Sequence, residues 1–197
     1  MLKKRQFRPD LGLLAAMLAL LAIGFPVQAE QDAPPSEPAK TSDPWAPLKL
    51  LAGSWEGDID GKLGKGKGVR RYEFIMDDQF LLCRHRSVRL PQEKSPNGDQ
   101  HEEMGVFSFD SQRKTLVYRE FMSEGVVVRS PCKVDGMKVV CTSEAVESGP
   151  GIRARLTLEI TDRYRFTEVY ELGWPGKDIE HYFTNHWTRS PLPGDWD

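Results

Sequence analysis

Residues 152–172, with the sequence IRARLTLEITDRYRFTEVYEL, contain the clearest fold signal in the chain. Apolar and polar side chains alternate in both halves of this stretch, and Thr161-Asp162 separates the halves. The apolar positions are Leu156, Leu158, Ile160, Tyr164, Phe166, Tyr170 and Leu172. A period of two places such side chains on one face of an extended strand, and Thr-Asp is typical of a turn. The stretch therefore predicts two half-buried strands joined as a hairpin.

Eight further segments show the same alternation, and turn residues separate nearly every pair of them. These segments are Trp55 to Ile59, Val69 to Met76, Phe80 to Leu90, Met104 to Phe109, Thr115 to Met122, Val126 to Lys133, Lys138 to Ala145 and Ile179 to Arg189. Helical spacing is limited to Trp45 to Ala52. The sequence thus predicts about ten short strands in up-and-down order.

Ten antiparallel strands in one small domain must close on themselves or pack as two sheets, because long open edges invite aggregation. A sandwich usually has longer crossing connections, and the only long one here is Pro91 to Gln100. We therefore predict an all-β fold, a ten-stranded antiparallel up-and-down β-barrel. The short helical turn is predicted to cap one end of it.

The chain divides into four predicted parts. Residues 1–29 have a basic start, an apolar stretch from Leu11 to Phe25 and a small-residue cleavage site, which is the pattern of a signal peptide. Residues 30–47 are rich in proline and predict an extended linker. The barrel domain is assigned to residues 48–190, and residues 191–197 form a tail. Export to the periplasm or the exterior follows; an uncleaved N-terminal anchor is the alternative.

The charge of the chain excludes some partners. The full chain has a formal net charge of −2, and removing the signal segment, which carries +3, leaves −5. A mildly acidic protein is a poor ligand for nucleic acid or for anionic membranes. We expect neither nucleic-acid binding nor stable membrane insertion after cleavage.

The segment Leu51-Ala52-Gly53-Ser54-Trp55-Glu56-Gly57 resembles the G-x-W opening of the calycin superfamily. This superfamily includes the lipocalins and the fatty-acid-binding proteins, and the strand count resembles the latter and the nitrobindin-like barrels. The resemblance implies that Trp55 packs under the barrel and that Arg189, from the last strand, lies over its indole. A guanidinium stacks well on an aromatic face, so both residues have a structural role.

A barrel of this size has room for one small molecule, and such sites are mostly apolar with a few polar groups. The predicted cavity residues are Tyr72, Phe74, Arg84, Tyr118, Phe166, Glu168 and Tyr170. Glu168 is a carboxylate on an otherwise aromatic face, so it should pair with an arginine or contact a ligand. Arg84 or Arg86 could supply that pair. The alternative places Glu168 at a solvated barrel mouth.

The spacing of the histidines in the sequence gives little support for a metal or haem site. His181 and His186 are five residues apart on one predicted strand, so they should face opposite sides and cannot bind one ion together. Nitrobindin-like barrels hold haem through a histidine near the last strand, which makes either residue a candidate by resemblance. The spacing to Arg189 does not match that group, and His85 and His101 are isolated in sequence. We expect no metal and no cofactor, with haem as the alternative.

The three cysteines suggest one disulfide. Cys132 and Cys141 flank a hairpin, and a turn centred on Gly136-Met137 places them directly opposite each other. A turn at Asp135-Gly136 would instead offset them by two residues. An oxidising compartment permits the bridge, which we favour. Cys83 then remains as a buried strand residue.

No catalytic constellation is present in the sequence. The segment from Gly61 to Gly68 is nearly a phosphate-binding loop, but Gly68 stands where a hydroxyl is needed for magnesium. We therefore expect an exported barrel that binds or carries a small, largely apolar or amphiphilic molecule, and not an enzyme. The alternatives are a haem-binding or enzymatic barrel that uses the same cavity, and a filled barrel that acts through its surface.

Overall fold

A computed structural model describes residues 43–191. The predicted signal segment, the linker up to residue 42 and the tail from residue 192 lie outside this part of the chain. The described part contains one short helix, α1 (Ala46–Lys49), and eleven strands. The strands are β1 (Gly53–Gly61), β2 (Gly64–Ile75), β3 (Phe80–Arg89), β4 (Asp99–Asp110), β5 (Thr115–Met122), β6 (Val127–Asp135), β7 (Lys138–Thr142), β8 (Ala145–Glu147), β9 (Arg153–Ile160), β10 (Arg165–Gly173) and β11 (Glu180–Arg189).

The strands form one closed antiparallel barrel. Sequential strands pair from β1 to β7, β7 pairs with β9, and β9 to β11 continue the meander until β11 pairs with β1. The short β8 pairs with the first part of β6, while β7 pairs with its second part. Ten strands therefore close the wall and β8 supplements it, which confirms the predicted all-β barrel. No helix of the described residues is long and apolar enough to cross a membrane.

In the hairpin of β9 and β10, alternate side chains point into the barrel, as the sequence predicts. Leu156 and Leu158 are buried and pair with Tyr170 and Glu168, whereas Glu159, the next residue along β9, is exposed. Burying one such leucine side chain contributes about 1.5–3 kcal/mol. The repeated burial of one strand face is what holds the two strands in register.

One end of the barrel is closed by α1 and the residues around it. Leu48 and Leu51 are fully buried, and the Nε1–H of Trp55 donates a 2.7 Å hydrogen bond to the carbonyl oxygen of Leu51. Asp43 accepts a 2.9 Å hydrogen bond from the backbone N–H of Trp45, which starts this turn. Residues 43–47 take part in this turn, although their composition assigns them to the predicted linker.

The two ends of the barrel wall meet at Trp55 and Arg189. These residues are register partners of β1 and β11, and the guanidinium carbon of Arg189 lies 4.4 Å from the ring centroid of Trp55. Gly53 has a φ of 126°, and a Cβ atom there would collide with the guanidinium of Arg189. Gly53 thus leaves space for the guanidinium of Arg189, and Trp55 provides the ring on which that guanidinium stacks.

The hairpin of β6 and β7 has the register that a turn centred on Gly136-Met137 requires. Cys132 pairs directly with Cys141, and the two form a disulfide. Cys83 is a free, buried thiol on β3. Burial raises the pKa of Cys83 to about 12, so the thiol stays protonated.

Candidate ligand-binding cavity

A partly open cavity of about 300 Å³ lies inside the barrel, away from α1. Residues near the β1–β2, β5–β6, β8–β9 and β10–β11 connections line its outer part. These are Leu63, Glu124, Val126, Val146, Ile152 and Trp174. Deeper apolar groups come from Ile59, Val128, Ala154, Leu172 and Phe183. The space therefore has an apolar wall and lies at the end of the barrel opposite the helical cap.

The predicted cavity residues occupy four different environments. Glu168 and Tyr170 line the cavity. Tyr72, Tyr118 and Phe166 point inward but belong to the tightly packed half of the barrel, below the cavity. That half is held by aromatic contacts, including Trp55 against Phe166 at 4.8 Å and Phe107 stacked on Tyr118 at 4.1 Å.

Two predicted residues lie elsewhere. Phe74 is half-buried at the capped end, where its ring lies 5.8 Å from that of Trp45. Arg84 is exposed on the outer face of β3, so its assignment to the cavity is wrong. Both faces of β3 carry apolar residues, and the inward face is that of Cys83 and His85.

Arg70, on β2, is the arginine that pairs with Glu168. The Nη1 atom of Arg70 donates a 2.7 Å hydrogen bond to Oε1 of Glu168, and the two side chains are 1% and 3% exposed. The other oxygen of Glu168 accepts hydrogen bonds from Asn185 Nδ2 at 2.8 Å and from Trp187 Nε1 at 3.0 Å. Burial opposes the charge of Arg70, but Glu168 and other acidic groups raise its pKa above the ordinary value. Glu168 is thus paired as predicted, but with an arginine that the sequence reasoning missed.

Glu103, on β4, extends this network toward the cavity. Its Oε1 accepts a 2.8 Å hydrogen bond from the hydroxyl of Tyr118, and its Oε2 lies 3.5 Å from Nδ1 of His85 and 3.6 Å from Nη2 of Arg70. Burial opposes ionisation, but the hydrogen bonds and the arginine outweigh it and lower the pKa of Glu103. Burial and the nearby Arg70 lower the pKa of His85. The network therefore favours an ionised Glu103 beside a neutral imidazole.

Glu120, on β5, is a third inward carboxyl group and is 3% exposed. Burial, followed by the negative charges of Glu103 and Glu168, raises the pKa of Glu120 well above its ordinary value. The barrel interior thus favours the charged form of Glu103 and the protonated form of Glu120.

Three buried polar atoms of cavity-lining residues have no hydrogen-bond partner among the described residues. They are Nε2 of His85, Nε of Arg89 and Oδ1 of Asn185. The amide of Asn185 must donate to Glu168, so its Oδ1 is left as an acceptor. Buried polar groups in native proteins are nearly always hydrogen-bonded, so a bound molecule or water would be stabilised beside these atoms.

The histidines considered as haem ligands do not face the cavity. His181 and His186 are both exposed, with Thr184 and Thr167 as their respective hydrogen-bond partners. A register shift in the pairing of β10 with β11 inserts one extra residue between them, so both point outward and the expectation of opposite faces is wrong. These residues do not fit an interior haem. The cavity histidines are instead His85 and His101.

Comparison with known proteins bears on the fold alone. No protein-family model matches the chain, and no curated protein matches it. The crystal structure of Rv2717c from M. tuberculosis is similar, with a TM-score of 0.53 at 13% sequence identity. The match covers 76% of this chain and 98% of that one. The similarity supports the barrel architecture.

Proposed function

We propose that the barrel binds one small, largely apolar molecule with a polar head group. The observation that supports this most strongly is the shape of the cavity: its wall is apolar, and the unpartnered atoms of His85 and Asn185 lie in it. An apolar wall with a few convergent polar groups is the usual design of a small-molecule site. The apolar part of the ligand would contact Ile59 and Val128 while its head reaches Asn185.

The charges near these atoms select the head group. Glu103 and Glu168 are both buried beside the cavity, and Arg70 is shared between them. A ligand carboxylate would meet this uncompensated negative charge, whereas a hydroxyl or amino group could donate to Oδ1 of Asn185. The proposed ligand therefore has a neutral or cationic donor head, and fatty acids are disfavoured.

The same proposal includes membership of the calycin superfamily and export from the cytoplasm. The stacking of Arg189 on Trp55 matches the arrangement that the G-x-W resemblance implies. The Cys132–Cys141 disulfide suits an oxidising compartment, and residues 1–29 have the composition of a signal peptide. The protein would then carry or sequester its ligand outside the cytoplasm.

Fluorescence titration with 1-aminoanthracene, a small aromatic amine, tests the binding proposal. Val126 lines the cavity, so Val126→Trp fills space that the probe needs, and Val88→Trp is the matched control on the outer face of β3. We expect Val126→Trp to weaken binding at least about tenfold, because an overfilled cavity excludes the probe, and Val88→Trp to leave it unchanged.

Competition separates the head groups. Octanol and octylamine should displace the probe at lower concentration than octanoate, because only they can donate to Asn185 without placing a carboxylate beside Glu168. Probe binding that is equal in wild type and Val126→Trp would overturn the site, and preferential displacement by octanoate would overturn the head-group assignment.

A further inference from the structure

Three potential metal ligands meet on the cavity wall. His85 on β3 is the register partner of Glu103 on β4, and His101 lies two residues before Glu103 on the same face. One ligand atom from each of the three lies within 4.8 Å of the others. The pairing of β3 with β4 thus brings His85 next to His101 and Glu103, although His85 is distant from them in sequence.

Each of the three side chains presents one atom that can bind an ion. Nδ1 of His101 lies 2.8 Å from Oε1 of Glu124, so this ring can donate to the carboxylate from Nδ1 and present Nε2. Oε1 of Glu103 is held by the Tyr118 hydroxyl, which leaves Oε2. Nδ1 of His85 lies 3.5 Å from Oε2 of Glu103, and it also lies 3.2 Å from Nη2 of Arg70, which can only donate. Nδ1 of the neutral ring therefore holds the lone pair, and the proton is on Nε2. Outer carboxylates and hydroxyls that orient ligands in this way are typical of metal sites.

We propose that His85, His101 and Glu103 bind one divalent transition-metal ion, with its remaining coordination positions facing the cavity. Two imidazoles and one carboxylate favour zinc, iron or cobalt over magnesium and calcium, which prefer oxygen ligands. In a tetrahedral zinc site with bonds of about 2.0–2.1 Å, neighbouring ligand atoms are about 3.3 Å apart. The three side chains must therefore close around the ion by rotation.

Arg70 is the cation that the metal must displace, since its Nη2 lies 3.2 Å from Nδ1 of His85 and 3.6 Å from Oε2 of Glu103. Its closer partner is Glu168 at 2.7 Å, so Arg70 keeps a full counter-ion when Glu103 turns to the metal. Glu103 then supplies the negative charge that offsets the ion. A metal here would add an electrophilic contact for a ligand head group, but its binding does not depend on the proposed ligand.

Cobalt and zinc titrations of chelator-treated protein test the site. We expect one ion per chain, a visible cobalt absorption spectrum and a rise in the unfolding temperature with zinc, because the ion binds only the folded chain. His101→Ala and His85→Gln should each weaken zinc binding at least about 100-fold, since each removes one of three ligands. His186→Ala, on the outer surface, is the matched control and should bind as the wild type does.

The His101→Ala variant separates loss of metal binding from loss of folding, because His101 is half-buried and its replacement disturbs the fold less than that of buried His85. Circular dichroism establishes that each variant is folded. The proposal is overturned if wild type shows no stoichiometric binding, or if His186→Ala weakens binding as much as His101→Ala. The 1-aminoanthracene titration in the presence of chelator is independent, so a failure of the metal site leaves the ligand site separately tested.

Discussion

The guanidinium of Arg70 and the carboxylate of Glu168 meet at 2.7 Å inside the barrel, although the two residues are 98 positions apart in the chain. The pair joins β2 to β10, and Glu168 also contacts Asn185 in the cavity wall. It therefore links the packed aromatic half of the barrel to the cavity above it.

Removing the carboxylate of this pair should be costly. In Glu168→Ala the guanidinium of Arg70 loses its closest counter-ion while remaining buried, and we expect a loss of about 3–5 kcal/mol in the free energy of unfolding. Urea denaturation measures this change. Glu159→Ala, which breaks an exposed pair with Lys138 at 2.7 Å, should cost less than about 1 kcal/mol. Equal losses for the two variants would contradict the role assigned to the buried pair.

Arg189 should stabilise the junction of β1 and β11. Its guanidinium stacks on Trp55 and donates to the carbonyl oxygens of Leu50 at 2.5 Å and Ala52 at 2.7 Å. We expect Arg189→Ala to lower the free energy of unfolding by about 2–4 kcal/mol and Arg189→Lys by less. Thermal unfolding is the measurement, with the exposed Arg165→Ala as control; a similar effect for both alanine variants would refute the junction's importance.

The disulfide should add stability that a reductant removes. Cys132 and Cys141 are nine residues apart, and closing so short a loop contributes about 2–3 kcal/mol in the chain-entropy account. We expect dithiothreitol and the double variant Cys132→Ser, Cys141→Ser to lower the urea midpoint equally. Cys83→Ser should retain the response to dithiothreitol. A wild-type midpoint that is insensitive to reductant would count against the bridge.

Glu120 should make the fold less stable as pH rises. Its pKa is raised in the folded state, so above the ordinary glutamate pKa the unfolded chain has released this proton while the folded chain still holds it. The contribution to stability is complete below about pH 4 and falls by up to about 1.4 kcal/mol per pH unit above it. Urea unfolding between pH 5 and 8, chosen at about one-unit steps, should show this slope in wild type and a shallower one in Glu120→Gln. Parallel pH profiles would exclude the effect.

The architecture could be predicted from the sequence because alternation, turn residues and the G-x-W segment all favour the same barrel. Glu168 also stands out as a carboxylate on an aromatic face. Arg70 could have been found, since it shares the two-residue period of Tyr72 and Phe74, but the strand was interpreted from its aromatic residues alone. A buried arginine can be recognised from the sequence only when the position of its acidic partner is already known.

The cavity residues were harder to predict for physical reasons. On β3 both faces carry apolar side chains, so alternation alone cannot choose between the face of Arg84 and that of His85. The bulge in β11 adds one residue to the strand and turns His181 outward together with His186. The meeting of His85 with His101 depends on the register of β3 and β4, which a lone sequence does not determine.

The most direct test of an interior ligand site is a two-dimensional NMR titration of the labelled protein with 1-aminoanthracene. We expect the shifts to concentrate on the cavity wall, at the backbone amides of Val128, Ala154 and Leu172 and the side-chain amide of Asn185. Shifts confined to the groove beside α1, around Phe74, or no saturable shifts at all, would contradict an interior ligand site.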